Sequence, residues 1–152
     1  GDGPQDYMAT CQKSGDLLRQ RLRVDWIPPQ WGDGKWPYLQ GADLFCLPTY
    51  SENFGIVVLE AGIVGTPVFT TTGTPWKEVQ DAGFGWVADP DPEHYAGVLQ
   101  RFFDQPVAGP GKQRSAFAEW TRSKFGWPEL IRQYVGLYEE LTGTGSRGAK
   151  DG

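Results

Sequence analysis

Residues Ala42 to Thr72 read ADLFCLPTYSENFGIVVLEAGIVGTPVFTTT. The run divides into an apolar segment, a polar loop, a second apolar segment and a third. The first, Asp43 to Pro48, is short and continuous, as in a strand buried on both faces of a parallel sheet. Thr49 to Asn53 is polar, and Asn53 can cap a helix from Phe54 to Val64. Gly65 and Pro67 end that helix. Pro67 to Thr71 is the next buried strand. After Asp43 at its start, two carboxylates interrupt the run, Glu52 in the loop and Glu60 in the helix, with seven residues between them. Between Asn53 and Trp76, Glu60 is the sole charged side chain. A charge in so apolar a setting requires a partner, water or a ligand. The plainer alternatives are a solvated surface position for Glu60 and a helix-dipole carboxylate for Glu52.

Working outward, the same alternation continues. Pro4 to Leu22 is expected to be a helix, weakened by Gly15. Arg23 to Ile27 is expected to be a short strand. Pro28 to Lys35 is a loop by its prolines and glycines, and Trp36 to Gly41 a helical turn. C-terminal to the central run, Pro75 begins a short helix to Asp81. Gly83 to Ala88 is a strand, and Asp91 to Phe103 a helix. Gln113 to Phe125 and Trp127 to Leu141 are closing helices, the second with a stripe of helical period. Strands alternating with helices imply an α/β fold, a Rossmann-like parallel sheet with helices on both faces. Ligands of such sheets lie beyond the carboxyl ends of the strands. The loops there are Pro28–Lys35, Thr49–Phe54, Thr72–Thr74 and Asp89–Asp91.

The chain has 152 residues, enough for a compact core. Its net charge of −5 argues against general binding to nucleic acid or an anionic membrane. Its two cysteines, Cys11 and Cys46, have no second Cys or His at ligand spacing, so no metal site or disulfide framework is expected. Cys46 is expected to sit in a buried strand as a small hydrophobe. A reducing cytoplasm is the default. His94 is expected to be exposed and idle. The opening GDGP is a turn, which suggests a preceding element. Residues 1–142 are taken as one partial domain, and 143–152 as a disordered tail.

The loop Thr49 to Gly55 leaves a buried strand and enters a helix. Backbone N–H groups at such a helix start favour an anion without any cationic side chain. Gly55 permits close approach, and Glu60 lies one to two turns into the helix, within reach of a hydroxyl near a bound phosphate. A nucleoside diphosphate sugar would use all of these features.

This stretch resembles the signature of family 4 (group 1) retaining glycosyltransferases of the GT-B fold. Gly73 to Glu78 (GTPWKE) is similar to the family's glycine-and-proline turn. Gly83 to Pro90 is similar to its following strand, and Phe125 to Leu141 to its closing helix. The Pro-Trp form of the turn is similar to that of lipopolysaccharide and polysaccharide glycosyltransferases. The chain would be part of the C-terminal, donor-binding domain. The resemblance implies sugar transfer from a nucleoside diphosphate sugar to a hydroxyl of a carbohydrate or lipid-linked acceptor, with anomeric retention.

It further implies roles. Glu52 would face the donor sugar at the catalytic side, and Glu60 would bind the donor ribose. Asn53, Phe54, Gly55, Gly73 and Thr74 would bind the donor sugar and diphosphate. Ile27, Pro28 and Trp31 would border the nucleobase. No cofactor and no metal are implied, and no nucleic-acid partner. The family's diphosphate-binding arginine and lysine have no counterpart here and would lie upstream, as would the N-terminal acceptor domain. This chain alone is therefore expected to be inactive. Localisation would be cytoplasmic, with any peripheral attachment at the inner membrane left to the missing domain. The alternatives are a non-catalytic nucleotide-sugar-binding relative and a GT-B sugar-nucleotide epimerase.

Overall fold

The structure, a computed structural model, describes residues 4–19, 21–104 and 110–143. Most of the GDGP turn and of the expected tail lie outside the described residues. Two compact units are divided between Pro37 and Tyr38.

In the first unit, α1 spans Gln5–Leu18 and a 3₁₀ turn spans Gly32–Lys35. Gly15, expected to weaken α1, is its one buried residue among those described. A Cβ there would meet the Trp26 ring at 2.9 Å and Val24 at 3.3 Å, so the glycine permits close packing. Arg23 to Ile27 is not a strand. Its alternating pattern defines two faces, but a strand also needs a ladder partner, and the sheet does not include this segment.

The second unit holds the sheet. α2 spans Trp36–Gly41, where the two units divide, β1 Phe45–Leu47, α3 Ile56–Ile63 and β2 Val68–Thr71. α4 spans Lys77–Asp81, β3 Gly85–Ala88, α5 Pro92–Asp104, α6 Pro110–Phe125 and α7 Trp127–Thr142. The strands are parallel in the order β1-β2-β3, with Cys46 opposite Phe69 and Phe69 opposite Trp86.

Strand alternation gives the sheet two apolar faces. Phe69 and Ala88 pack with Val98 of α5, joined by Leu44, Trp86, Tyr95 and Leu99. On the other face Gly85 lies against Val79 of α4, where a Cβ would stand 2.8 Å from the Val79 methyl. Helices thus cover both faces, as the sequence implies. β2, with strands on both sides, is buried at all four positions. β1 is an edge strand and only half-buried, contrary to the expectation for Asp43–Pro48, and Cys46 is exposed. Continuous apolar character does not reveal which strand lies at an edge.

α3 is held tightly against α6. A Cβ at Gly62 would stand 3.2 Å from the Phe117 ring. Two arginines of α6 then serve the ends of earlier helices. Arg114 donates to the carbonyls of Gln40 at 2.6 Å and Ala42 at 2.9 Å, and to Thr66 Oγ1 at 2.8 Å. Arg122 donates to the Ile63 carbonyl at 3.1 Å. Both supply positive charge to carbonyls at helix C-termini. The apolar stripe of α7 forms at the expected period, yet none of its described residues is buried.

Candidate functional site

Three parallel strands direct their carboxyl ends, and the loops that follow them, to one edge of the sheet. The loops after β1 and β2 are joined there by hydrogen bonds. The Glu52 N–H donates to the Gly73 carbonyl at 2.9 Å. Thr71 Oγ1 accepts from the Thr49 N–H at 3.2 Å and donates to the Thr49 carbonyl. Thr70 Oγ1 donates to the Leu47 carbonyl at 3.0 Å. Within the second loop, Thr74 Oγ1 donates to the Thr71 carbonyl at 2.9 Å. The loops approach so closely that a Cβ at Gly73 would overlap the Tyr50 carbonyl. Gly73 and Thr74 therefore sit inside the frame that shapes the Glu52 loop. The third connection, after β3, reaches the second through the Thr72 N–H, which donates to the Ala88 carbonyl at 2.9 Å.

The entrance to α3 differs in detail from the sequence expectation. The helix begins at Ile56, and its N-cap is Gly55 in the left-handed region, φ 74° and ψ 58°. Asn53 does not cap the helix; its N–H donates to Glu52 Oε1 at 3.0 Å. The chain turns through a left-handed residue before the helix starts, and glycine adopts that conformation without steric cost. Glu52 lies over this turn, so that a Cβ at Gly55 would come within 3.1 Å of its Cγ. The carboxylate thus reaches back to the loop that carries it. The first N–H groups of α3 have no partner within the helix. Together with the helix dipole they form a place suited to an anion.

Glu60 lies one turn further along α3. It is half-buried, on the side that carries Ile56 and Ile63, both exposed. Val58, Ala61 and Gly62 occupy the buried side. Glu52, Asn53, Phe54, Gly55, Gly73, Thr74 and Glu60 are therefore all supplied by two connected loops and the helix that one of them enters. Ile27, Pro28 and Trp31 lie in the first unit and are exposed there.

The aromatic residues of these loops divide sharply. Trp76 is only 1% exposed. Its Nε1–H donates to the Phe54 carbonyl, and its ring lies 5.1 Å from that of Phe54 and 5.4 Å from that of Phe125. The expected helix start at Pro75 shifts to Lys77, because Trp76 is drawn into the core and becomes the N-cap of α4. Phe54 remains 43% exposed and Ile56 64% exposed, so apolar surface flanks the helix start.

The charged residues nearby are engaged. Lys77 donates to both carboxylate oxygens of Asp81, at 2.6 and 2.8 Å. Lys124 pairs with Glu78. His94 is exposed, as expected, and its hydrogen bonds are local: its Nδ1 accepts from the Asp89 N–H at 3.3 Å, and its backbone N–H donates to Asp91 Oδ1 at 2.9 Å. It thereby fixes the turn after β3. Among the described residues, no group of three or more His, Cys, Asp or Glu is placed to hold a metal ion.

One titratable pair lies away from this edge. Burial pushes the Tyr95 hydroxyl well above the ordinary phenol range, with the Cys46 thiol beside it adding to the rise. Burial likewise raises Cys46, partly offset by the neighbouring Tyr95 hydroxyl. Cys46 is exposed as a residue. Its side chain shares the face of Phe69, whose ring stacks on Tyr95 at 3.9 Å, and this accounts for the desolvation of the sulfur.

Comparison with known proteins identifies the family. The family model described as "Glycosyl transferases group 1" matches residues 1–124. The D-inositol 3-phosphate glycosyltransferase of Salinispora tropica is 34% identical over 120 residues, covering 78% of this chain and 24% of that protein. The corresponding protein of Mycobacterium avium is 37% identical over 127 residues, covering 81% of this chain and 29% of that one. The chain thus spans about a quarter of the length of the curated relatives it matches. Among solved structures, sucrose-phosphate synthase from Thermosynechococcus elongatus superposes with a TM-score of 0.62 at 23% identity, over 90% of this chain and 35% of that one. The likeness in fold is to a GT-B glycosyltransferase. The chain belongs to the group 1 glycosyl transferases.

Proposed function

We propose that this chain supplies the donor-binding half of an enzyme that transfers a sugar from a nucleoside diphosphate sugar to an acceptor hydroxyl with retention. The observation that carries the reading is the joined pair of loops at the carboxyl edge of the sheet. They hold the stretch that carries Glu52, the left-handed Gly55 turn, the open N-terminus of α3 and Glu60 against the loop after β2. The helix start takes the diphosphate through backbone N–H groups. Glu60, one turn on, takes the ribose hydroxyls. Glu52, on the loop before the helix, addresses the donor sugar.

Transfer passes through a transition state in which the anomeric carbon gains positive charge and the departing diphosphate gains negative charge. The sugar–oxygen bond to the diphosphate breaks, and the acceptor hydroxyl forms the new bond and loses its proton. Fixed N–H dipoles at the helix start stabilise the departing charge without having to reorganise. Positioning of the two substrates supplies much of the remainder. Lys77 and Lys124 pair with Asp81 and Glu78. The cations that balance the diphosphate are proposed to come from outside these 152 residues, as is the acceptor site. A nucleotide-sugar donor and a carbohydrate or lipid-linked acceptor are the proposed partners. No metal or other cofactor is proposed. Among the described residues no helix is long and apolar enough to cross a membrane.

The test is steady-state kinetics on the full-length protein. Glu60→Ala should raise the donor KM about tenfold, the loss expected from one hydrogen bond to a charged group. Glu52→Ala should lower kcat about a hundredfold with a smaller effect on KM. Parental rates in both variants would remove the site from this stretch.

A further inference from the structure

Trp76 is the largest fully buried side chain of the second unit, yet it lies in the connection after β2, between a turn and a short helix. Its burial fills space under the other loop. The indole Nε1–H donates to the Phe54 carbonyl, immediately before the left-handed Gly55. The same nitrogen would stand 3.2 Å from a Cβ at Gly55, so the turn rests directly on the indole. Phe125 of α6 closes the far side of the ring. At its own position Trp76 accepts the Val79 N–H at 3.1 Å, which fixes the start of α4.

The geometry of the peptide bond gives this contact a consequence. In a trans peptide the C=O and the following N–H point in opposite directions. The Phe54 carbonyl is held by a buried donor, so the orientation of the whole Phe54–Gly55 peptide plane is fixed at a residue that is itself buried. The exposed Phe54 and Ile56 side chains flank this turn along the chain. A tryptophan that only filled volume would leave this peptide plane free to rotate. A tryptophan that hydrogen-bonds the carbonyl does not.

We infer that Trp76 is a positioning residue for donor binding. Through the Phe54 carbonyl it holds the left-handed turn from which α3 starts, and so sets the helix N-terminus that meets the donor diphosphate. The inference rests on the donor-binding reading for its ligand and on the loop geometry alone for its mechanism. It also separates the two ends of the donor: Trp76 acts on the phosphate, whereas Glu60 acts on the ribose.

The experiment replaces Trp76 in the full-length protein by β-(3-benzothienyl)alanine, which keeps the bicyclic shape and substitutes sulfur for the N–H. Phe125→Leu, on the other side of the same ring, is the packing control. One readout is hydrogen exchange at the Val58 amide, which donates to the Gly55 carbonyl at 2.8 Å. The other is affinity for UDP, GDP and ADP against the corresponding nucleosides. Loss of the indole N–H should speed Val58 exchange about tenfold. It should weaken the preferred nucleoside diphosphate about tenfold and leave its nucleoside unchanged. Phe125→Leu should lower Tm without that discrimination. Unchanged Val58 exchange in the sulfur variant overturns the inference, as does an equal loss of nucleoside and diphosphate. If the parent protein binds no nucleoside diphosphate, the donor reading fails, while faster Val58 exchange still establishes the positioning contact.

Discussion

Gly55 is where the local chain and the proposed chemistry meet most closely. Its φ of 74° lies in the left-handed region, and a Cβ would press on both Glu52 and the Trp76 indole. Gly55→Ala should cost about 1–2 kcal/mol for the backbone conformation alone, with more for the two contacts, as read by urea denaturation. Asn53 and Gly55 show the limit of reading at this scale. Both are acceptable helix caps by residue type. The choice between them depends on the Glu52 carboxylate taking the Asn53 N–H and on the indole seated under Gly55. Neither contact has a local sequence signal. Cys46 makes a similar point with a pH dependence. Burial raises its thiol, so the neutral form persists at pH values where an ordinary thiol is already ionising. Its alkylation by iodoacetamide should stay slow near neutrality and accelerate only as pH rises beyond about 8.5, the ordinary thiol value. A rate that levels off below that pH would contradict the desolvation.

At the scale of elements, α3 and β2 were legible because a continuous apolar run bounded by turn residues has few alternatives. α3 begins two residues later than the sequence suggested, and β1 proved to be an edge. The missing strand at Arg23–Ile27 has the same origin, since pairing is a property of neighbours and not of a segment. The role of α6 was not visible at all. Arg114 and Arg122 look like ordinary charges on a helical surface, yet they satisfy carbonyls at the C-terminal ends of α2 and α3. A signal did exist in retrospect: Gly62 and Gly65 mark the line along which α6 approaches, since a Cβ at either would collide with it. Arg114→Met keeps most of the side-chain volume and removes the donors to Gln40, Ala42 and Thr66. It should destabilise the protein by about 2 kcal/mol, the scale of hydrogen bonds from a charged group. A change within experimental error would mean that water replaces the guanidinium at no cost.

For the molecule as a whole, the candidate site is built from connections and not from strands. Its two glutamates, its left-handed glycine and its helix start were readable because they lie in one stretch of sequence. The zipper of threonines and backbone groups that holds the stretch in shape was not, because its donors and acceptors are contributed by a loop about twenty residues away. The net charge of −5 sharpens the same division. A diphosphate is then held by local features, of which the oriented N–H groups at the start of α3 are one. The central claim is that Glu60 and the start of α3 receive the nucleoside diphosphate portion of a sugar donor. Calorimetric titration of the full-length protein and its Glu60→Ala variant with UDP, GDP and ADP tests it most directly. The account predicts that one of the three binds the parent at a single site and that the variant binds it about tenfold more weakly. Equal affinity in parent and variant, or no binding of any of the three to the parent, would contradict it.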